Sequence, residues 1–248
     1  MNLFITLTFL FSLGCILGWI IELIFRRFFS TSNTEHKWIN PGFLRGPYLP
    51  LYGFVLCILF YLAQINLTFI PSKTLQHITL FFIMTISITI IEYIAGIIFI
   101  KGMKVKLWDY SNLKGNIQGI ICPQFSFFWF LLSSFYYIFI NPFIDEAVNW
   151  INNHLIFIFV IGFFYGIFIV DLFYSLHILA KIKKFADDNQ IIVKYENLKS
   201  IIQKENKEII GKINFFFFLM TEKVSLTENL KKYFEKEMRK NKRYDKIE

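Results

Sequence analysis

Residues 3–27 read LFITLTFLFSLGCILGWIIELIFRR, an apolar run that contains one carboxylate, Glu22, and ends in Arg26 and Arg27. A helix needs about 20 mostly apolar residues to cross the hydrocarbon core of a bilayer, and this run is long enough. Because it carries an acid and ends in two arginines, we interpret it as a retained membrane helix and not as a cleavable signal peptide. This stretch therefore places the chain among integral membrane proteins.

The composition of the whole chain agrees with a multi-pass membrane protein. Of its 248 residues, 55% are hydrophobic and 32 are phenylalanine, which is too apolar for a soluble domain of this length. We predict an all-α, polytopic bundle of five transmembrane helices over residues 1–180 and a basic cytosolic helical tail over residues 181–248. The five windows that qualify as spans are residues 3–25, 49–70, 75–100, 119–140 and 155–180.

Lysine and arginine in the loops predict the orientation of the chain. Residues 26–47 and 101–118 are rich in basic side chains, whereas residues 71–74 and 141–154 hold one lysine between them. Because cytoplasmic loops carry the excess of basic residues, we expect the N-terminus outside the cell membrane and the C-terminus in the cytoplasm. The net charge of +8 follows from the same bias and favours contact of the tail with membrane lipids over nucleic acid.

Carboxylates lie inside three of the predicted spans, at Glu22, Glu92 and Asp171. A charge at membrane depth costs roughly 2.5–3.5 kcal/mol, so we expect each acid to face protein or a watery cavity. We predict that the three acids line a pathway or a substrate-binding site. Small or hydroxyl residues share a helix face with each acid: Gly14 and Gly18 with Glu22, Thr85, Thr89 and Gly96 with Glu92, and Tyr174 and Ser175 with Asp171.

The first four predicted spans read as two copies of one hairpin. Glu22 and Glu92 are each followed sixteen residues later by a tryptophan, Trp38 and Trp108. Each tryptophan opens a polar loop, and each loop leads to a proline near the start of the next span. Both copies enter the membrane from the same side, so the pattern predicts a parallel repeat.

The two loops hold the remaining candidate residues. Proline and glycine are too dense for a helix in residues 38–53, and the polar residues of 108–123 can cap helices or bind a polar ligand. A plain aromatic belt would explain the tryptophans equally well. If the loops lie side by side, we expect Arg45 to approach Asp109. The candidate residues of the loop motifs are Trp38, Asn40, Gly42, Arg45, Gly46, Pro47, Pro50, Tyr52, Trp108, Asp109, Tyr110, Ser111 and Asn116.

The tail follows a different pattern from the spans. Apolar residues over 191–216 recur at spacings of four and three, which predicts an amphipathic or coiled-coil helix. Ser225 and Glu228 have the spacing of a capping box and predict the start of a last, basic helix. The apolar run 215–220 is too short to span a membrane, so we expect it to pack or to dip into the interface.

These motifs together resemble a bacterial membrane family described as putative ABC-transporter type IV permeases. The resemblance covers about residues 14–180 and implies a transporter subunit of the bacterial inner membrane. Because no glycine-rich phosphate-binding loop occurs in this chain, the resemblance implies that a separate ATPase supplies the energy. The matching residues are the run 40–53, Trp108-Asp109-Tyr110-Ser111 followed by Asn116, Gly119 and Ile121-Cys122, and Gly18-Trp19 with Glu22 and Glu92.

Three functions stay open at this point. We favour a transporter subunit without enzymatic activity, whose substrate the sequence does not name and whose pathway the buried acids line. The second is an intramembrane enzyme acting on a lipid-linked substrate at the inner leaflet, with Glu22, Glu92, Asp109 and Asn116 converging. The third is a scaffold in which the acids only pair with arginine or tyrosine. The histidines and cysteines are too scattered for a zinc site, so we expect no metal and no cofactor, and a homo-oligomer stays open.

Overall fold

The computed structural model describes residues 2–29, 36, 38–199 and 226–244, and it is mostly helical. Strands β1 (Val105–Lys106) and β2 (Val193–Lys194) form a short parallel pair. Loop 1 is defined here as residues 38–49 and loop 2 as residues 103–122. The bounded α-helices of the described part are α1 (Leu3–Phe28), α2 (Pro50–Ala63), α3 (Lys73–Ile97), α4 (Pro123–Phe135), α5 (Asn141–Asn153), α6 (Ile158–Asp188) and α7 (Leu226–Tyr244).

Short π-helical and 3₁₀-helical turns join or extend several of these α-helices into longer helical rods. A π-helical turn, Ile98–Gly102, continues α3, and a second one, Tyr136–Ile140, joins α4 to α5. A 3₁₀ turn, Leu155–Phe157, leads into α6. Within the described residues, four helical rods are long and apolar enough to cross a membrane, over residues 3–28, 73–102, 123–153 and 155–188.

The prediction of five spans is confirmed only in its coarser form, a multi-pass helical membrane protein. Helix α2 has 14 residues, or about 21 Å at 1.5 Å per residue, against a hydrocarbon core of about 30 Å. The predicted span 49–70 is helical only as far as Ala63. Beyond it, the Asn66 side chain accepts a hydrogen bond from the Thr68 backbone N–H at 2.9 Å, a turn that competes with continuation of the helix.

Local sequence explains where the helices begin. The Asn2 side chain caps α1 by accepting the Phe4 backbone N–H at 3.0 Å, because the first N–H groups of a helix have no partner inside it. Pro50 and Pro123 open α2 and α4, where a fixed φ and a missing N–H cost nothing. The two hairpins thus share the proline start that the sequence pattern predicted.

The hydrophobic core joins α1 to α5. Leu10 of α1, Phe60 of α2 and Met84 of α3 belong to one cluster of buried apolar side chains, and each is almost fully buried. Gly14 of α1 allows α2 to approach closely, since a Cβ there would lie 2.7 Å from the Tyr52 carbonyl oxygen. Small residues therefore set the α1–α2 contact, as their spacing predicted.

Helix α6 lies at the periphery and links the bundle to the tail. Its apolar face is largely exposed, as at Phe159, which is 79% exposed, and this is the surface expected of a helix that contacts lipid. Its last turns continue without a break to Asp188 and pack with β1, β2 and α7 in a second core. The division at residue 180 stays a prediction. The helix expected over 191–216 is wrong at its start, where Val193–Lys194 form β2. The rest of it from residue 200, the run 215–220 and Ser225 lie outside the described residues, and α7 begins directly after Ser225.

Candidate functional site

A cleft of about 510 Å³ lies among α1, α2, α3, α4 and α6 and reaches both loops. Its walls are mostly apolar. The volume falls in the range of small-molecule pockets, roughly 300–1,000 Å³, so the cleft is large enough to hold a substrate. The polar and amphipathic side chains that line it are Glu22, Arg26, Tyr52, Glu92, Trp108, Tyr110 and Trp129.

Glu92 is the most buried of the three membrane acids, with 2% of its surface exposed. Its carboxylate accepts hydrogen bonds from the Trp129 indole N–H at 2.9 Å and from the Tyr110 hydroxyl at 3.2 Å. Gly96, one turn further along α3, makes room for Ile120 of loop 2. The helix face that the sequence assigned to Glu92 is therefore the face that packs on α4 and loop 2.

Glu22 is held in an ionic chain near the end of α1. Its carboxylate accepts from the Arg26 Nε at 2.8 Å and from the Tyr52 hydroxyl of α2 at 2.9 Å. Arg26 also forms an ion pair with Glu196, which follows β2. The spacing of four residues between Glu22 and Arg26 predicts their ion pair. The contact of Arg26 with Glu196 depends instead on the fold of the tail.

The two hairpins place their acids in similar settings. In each hairpin the acid lies on the first helix, and an aromatic donor on the returning helix, Tyr52 or Trp129, binds it. These two rings contact each other, with centroids 5.7 Å apart. Glu22 and Glu92 are therefore joined through two touching aromatic side chains across the cleft.

Asp171 has a different environment from the other two acids. It accepts hydrogen bonds from the backbone N–H groups of Arg45 and Gly46 at 3.0 and 2.9 Å and from the Tyr48 hydroxyl at 2.6 Å. Ser175 of the same helix donates a further bond at 3.1 Å. Its neighbours Phe168 and Leu172 line the cleft, and Asp171 is not among the lining residues. Asp171 fastens loop 1 to α6.

Loop 1 is folded by its own polar residues. The Asn40 amide donates to the Leu44 and Arg45 carbonyl oxygens at 3.1 and 2.8 Å, and its oxygen accepts from the Trp19 indole at 2.6 Å. The Arg45 guanidinium lies over the Tyr174 ring at 3.2 Å. Trp38, which is exposed, lies under the Arg27 guanidinium at 4.1 Å.

Loop 2 is organised around Asp109. Its carboxylate pairs with Lys194 of β2 at 2.7 Å and with Lys106 at 3.2 Å, and it accepts from Ser111. Burial raises the pKa of Asp109, but hydrogen bonds from Lys194, Ser111 and Lys106 outweigh burial and hold the pKa well below its usual range. The expected Arg45–Asp109 pair does not form among the described residues: Asp109 pairs with Lys194 and Lys106, and the Arg45 guanidinium lies over Tyr174.

The other motif residues of loop 2 also serve its conformation. The Trp108 indole donates to the Ile120 carbonyl oxygen at 2.8 Å. The Asn116 amide donates to the Leu113 carbonyl oxygen at 2.7 Å and accepts the Gly119 N–H at 2.9 Å. Gly119 has φ +69°, and a Cβ there would lie 2.8 Å from the Asp109 carboxylate, so only glycine fits this turn.

The tail contributes a buried lysine that sequence reasoning missed. The Lys199 ammonium donates to the Asn40 carbonyl oxygen at 2.9 Å and to that of Gly42. Burial, with a smaller contribution from Arg26, lowers the pKa of Lys199 to about 7, against the opposing effect of Glu196. No spacing rule connects Lys199 to loop 1, so only the tertiary structure reveals this contact.

Most of the predicted site residues fall into two groups. Asp171, Asp109, Asn40, Arg45 and Asn116 hold the loops in place. The cleft is completed by residues that were not predicted as site residues: Trp129, Arg26 and the apolar residues of α3. A tryptophan inside an apolar span is the sequence signal that could have indicated Trp129. The predicted residues that line the cleft are Glu22, Gly42, Pro50, Tyr52, Glu92, Trp108 and Tyr110.

Comparison with known proteins gives one match. The chain matches the family model described as "Putative ABC-transporter type IV" over residues 9–176, more than half of its length. The chain belongs to this family. No curated protein and no solved structure matches it. Membership in the type IV family confirms the resemblance carried by the loop motifs, and with the apolar helices it supports a multi-pass membrane protein with a role in transport.

The described residues offer no metal centre to this member of the family. No group of three or more histidine, cysteine, aspartate or glutamate side chains within residues 2–29, 36, 38–199 and 226–244 is placed to hold a metal ion. The carboxylates that line the cleft are bound instead by arginine, tyrosine and tryptophan donors.

Proposed function

We propose that the chain is the membrane-spanning subunit of a transport system and that the cleft between Glu22 and Glu92 holds the substrate. The observation that carries this proposal is the position of the cleft, which lies within the bundle and reaches both motif loops. Family membership supports a component of an ABC-type transporter.

A separate ATPase would supply the energy in this system. The chain contains no Gly-x4-Gly-Lys-Ser/Thr sequence, which is the loop that cradles the phosphates of a bound nucleotide. Loop 1, loop 2 and the last turns of α6 meet at one end of the bundle, where Lys194 pairs with Asp109 and Arg26 pairs with Glu196. We propose that the ATPase contacts this end. We further propose that this end lies on the cytoplasmic side of a bacterial inner membrane, in contact with anionic lipid.

The proposal is tested in inside-out membrane vesicles that contain the chain and a candidate ATPase. We expect ATP to change the lipid and small-molecule content of the vesicles, and a non-hydrolysable analogue to leave it unchanged. The Glu92→Gln variant should lose the ATP-dependent change, because the cleft loses its most buried charge. Glu146→Gln, at an exposed position on α5, should behave as the wild type.

An intramembrane enzyme acting on a lipid-linked substrate is the second candidate. The observation that favours it is the combination of apolar walls with two carboxylates in one cleft. Asp109 and Asn116, which the enzyme hypothesis included, are engaged in folding loop 2. Release of a product from vesicles without ATP would establish the enzyme and overturn the transport proposal.

A further inference from the structure

We propose that the cleft binds an amphipathic organic ammonium compound, with the ammonium group beside Glu92 and the apolar chain directed toward the lipid. This inference rests on the proposed function, since it names the chemical class of the ligand that the cleft holds. Three features of the cleft carry it: aromatic rings around Glu92, an excess of negative charge, and an apolar opening toward the lipid.

Aromatic side chains line the cleft that holds the buried acid. Tyr52, Trp108, Tyr110 and Trp129 line the same cleft as Glu92. Two of them, Tyr110 and Trp129, bind its carboxylate, and Tyr52 contacts Trp129. Tyrosine and tryptophan faces attract cations, and groups of such rings recognise quaternary ammonium ligands. A carboxylate among four such rings offers both an ionic partner and a set of π faces.

The charges that line the cleft also favour a cation. Its ionisable acids and bases are Glu22, Arg26 and Glu92. Glu22 is compensated by Arg26, which also binds Glu196. Glu92 receives its hydrogen bonds from neutral groups, a hydroxyl and an indole, and no lysine or arginine of the described residues forms an ion pair with it. A ligand ammonium would supply the missing positive charge in a site of low polarity, where such an interaction is strong.

The remaining walls suit an apolar chain. Phe54, Ile94 and Ile98 line the cleft and are 56%, 52% and 59% exposed. On membrane helices such exposed apolar side chains contact lipid, so the cleft opens sideways into the bilayer. An alkyl chain can therefore leave through this opening while the head group stays beside Glu92. A small, fully hydrophilic ammonium ion would leave these apolar walls unused.

Photolabelling of the purified full-length protein in an uncharged maltoside detergent tests the inference. The probe is an alkyltrimethylammonium with a photoreactive diazirine in its chain, and the matched probes replace the head group by a hydroxyl or a sulfate. We expect the ammonium probe to label the cleft residues at least about tenfold more than either matched probe, which corresponds to the combined effect of the charge and the rings. Equal labelling by all three probes would overturn the inference.

Two variants and one control locate the binding. Glu92→Gln should reduce labelling by the ammonium probe toward the level of the alcohol probe, because only the rings still attract the cation, whereas Glu146→Gln should retain the wild-type pattern. Because Glu92→Gln could fail to fold, Ile94→Trp provides an independent test: Ile94 is half exposed at the mouth of the cleft, and the larger side chain should block entry of the probe. Full labelling of folded Ile94→Trp would contradict binding in the cleft. The assay needs no ATPase, so its failure would leave the transport proposal standing.

Discussion

Asp171 shows how one buried acid can hold a loop in place. Its carboxylate collects two backbone N–H groups and the hydroxyls of Tyr48 and Ser175. The sequence pattern alone treats Asp171 and Glu92 as equivalent pathway acids. The structure separates them, since the partners of Asp171 belong to the fold of loop 1 and those of Glu92 line the cleft.

Asp171→Asn should therefore destabilise the protein. The amide replaces one acceptor oxygen by an NH₂ group that faces donors, and loss of hydrogen bonds to a charged acceptor costs about 1.5–3 kcal/mol each. We expect the melting temperature in detergent to fall clearly, with the exposed Asp187→Asn of the end of α6 as the control that does not change. An unchanged melting temperature for Asp171→Asn would show that loop 1 does not depend on this acid.

Lys199 should make the stability of the protein depend on pH. Its pKa falls from 10.5 to about 7 on folding, chiefly because it is buried, while Arg26 and Glu196 lie near it. Between these two values the unfolded chain binds more protons than the folded one, so stability rises as the pH increases through this window. Below pH 7 the lysine is protonated in both states and the cost of its burial is fully present.

Replacement of Lys199 isolates this effect. We expect the melting temperature of the wild type, relative to Lys199→Met, to be constant below about pH 7 and to increase from about pH 7 to 9.5. Lys231→Met, at an exposed position on α7, should follow the wild type at every pH. A difference between wild type and Lys199→Met that does not vary with pH would contradict a lowered pKa.

At the scale of helices, two glycine pairs with the same spacing have different roles. Gly14 and Gly18 of α1 lie against Tyr52 and Leu56 of α2, with no space for a Cβ. Gly162 and Gly166 of α6 have a spacing that also predicts a close helix contact. Apart from the backbone of α6 itself, no atom of the described residues lies within 4 Å of a Cβ added at either position. Spacing alone therefore does not distinguish a glycine that is packed from one that is open.

Alanine at the two kinds of position should act in opposite directions. Gly18→Ala places a methyl group inside the Tyr52 side chain and should destabilise the hairpin by about 1–3 kcal/mol, the usual cost of overpacking. Gly162→Ala meets nothing and should be neutral or stabilise α6 by about 0.5–1 kcal/mol through helix propensity. Thermal unfolding in detergent measures both. A loss of stability in Gly162→Ala would indicate that α6 is covered by a partner.

At the scale of the whole molecule, the charges of the loops predict the orientation in the membrane. The structure brings loop 1, loop 2 and the described start of the tail to one end, so we expect them to lie on the same side of the membrane. In a variant with Cys15, Cys57 and Cys122 replaced, a cysteine at Asn149 should react with an impermeant reagent from outside. A cysteine at Lys114 of loop 2 should react only after the membrane is opened, and the reverse result would contradict the predicted orientation.

The sequence by itself predicts what depends on neighbours along the chain. Apolar length predicts the helices, prolines mark the starts of α2 and α4, and the i,i+4 spacing predicts the Glu22–Arg26 pair. Each of these features requires only a few consecutive residues. It also predicts the family through the loop motifs, because these motifs are contiguous.

Only the tertiary structure decides which distant groups meet. Asp171 binds loop 1 across 126 residues, and the pairing of β1 with β2 brings Lys194 to Asp109 in place of Arg45. Helix spacing says which face an acid occupies, but which loop or helix covers that face depends on how the elements pack. The end of α2 is different, because it is local: the Asn66 turn follows a helix that ends at Ala63, whereas composition alone extends the run to residue 70.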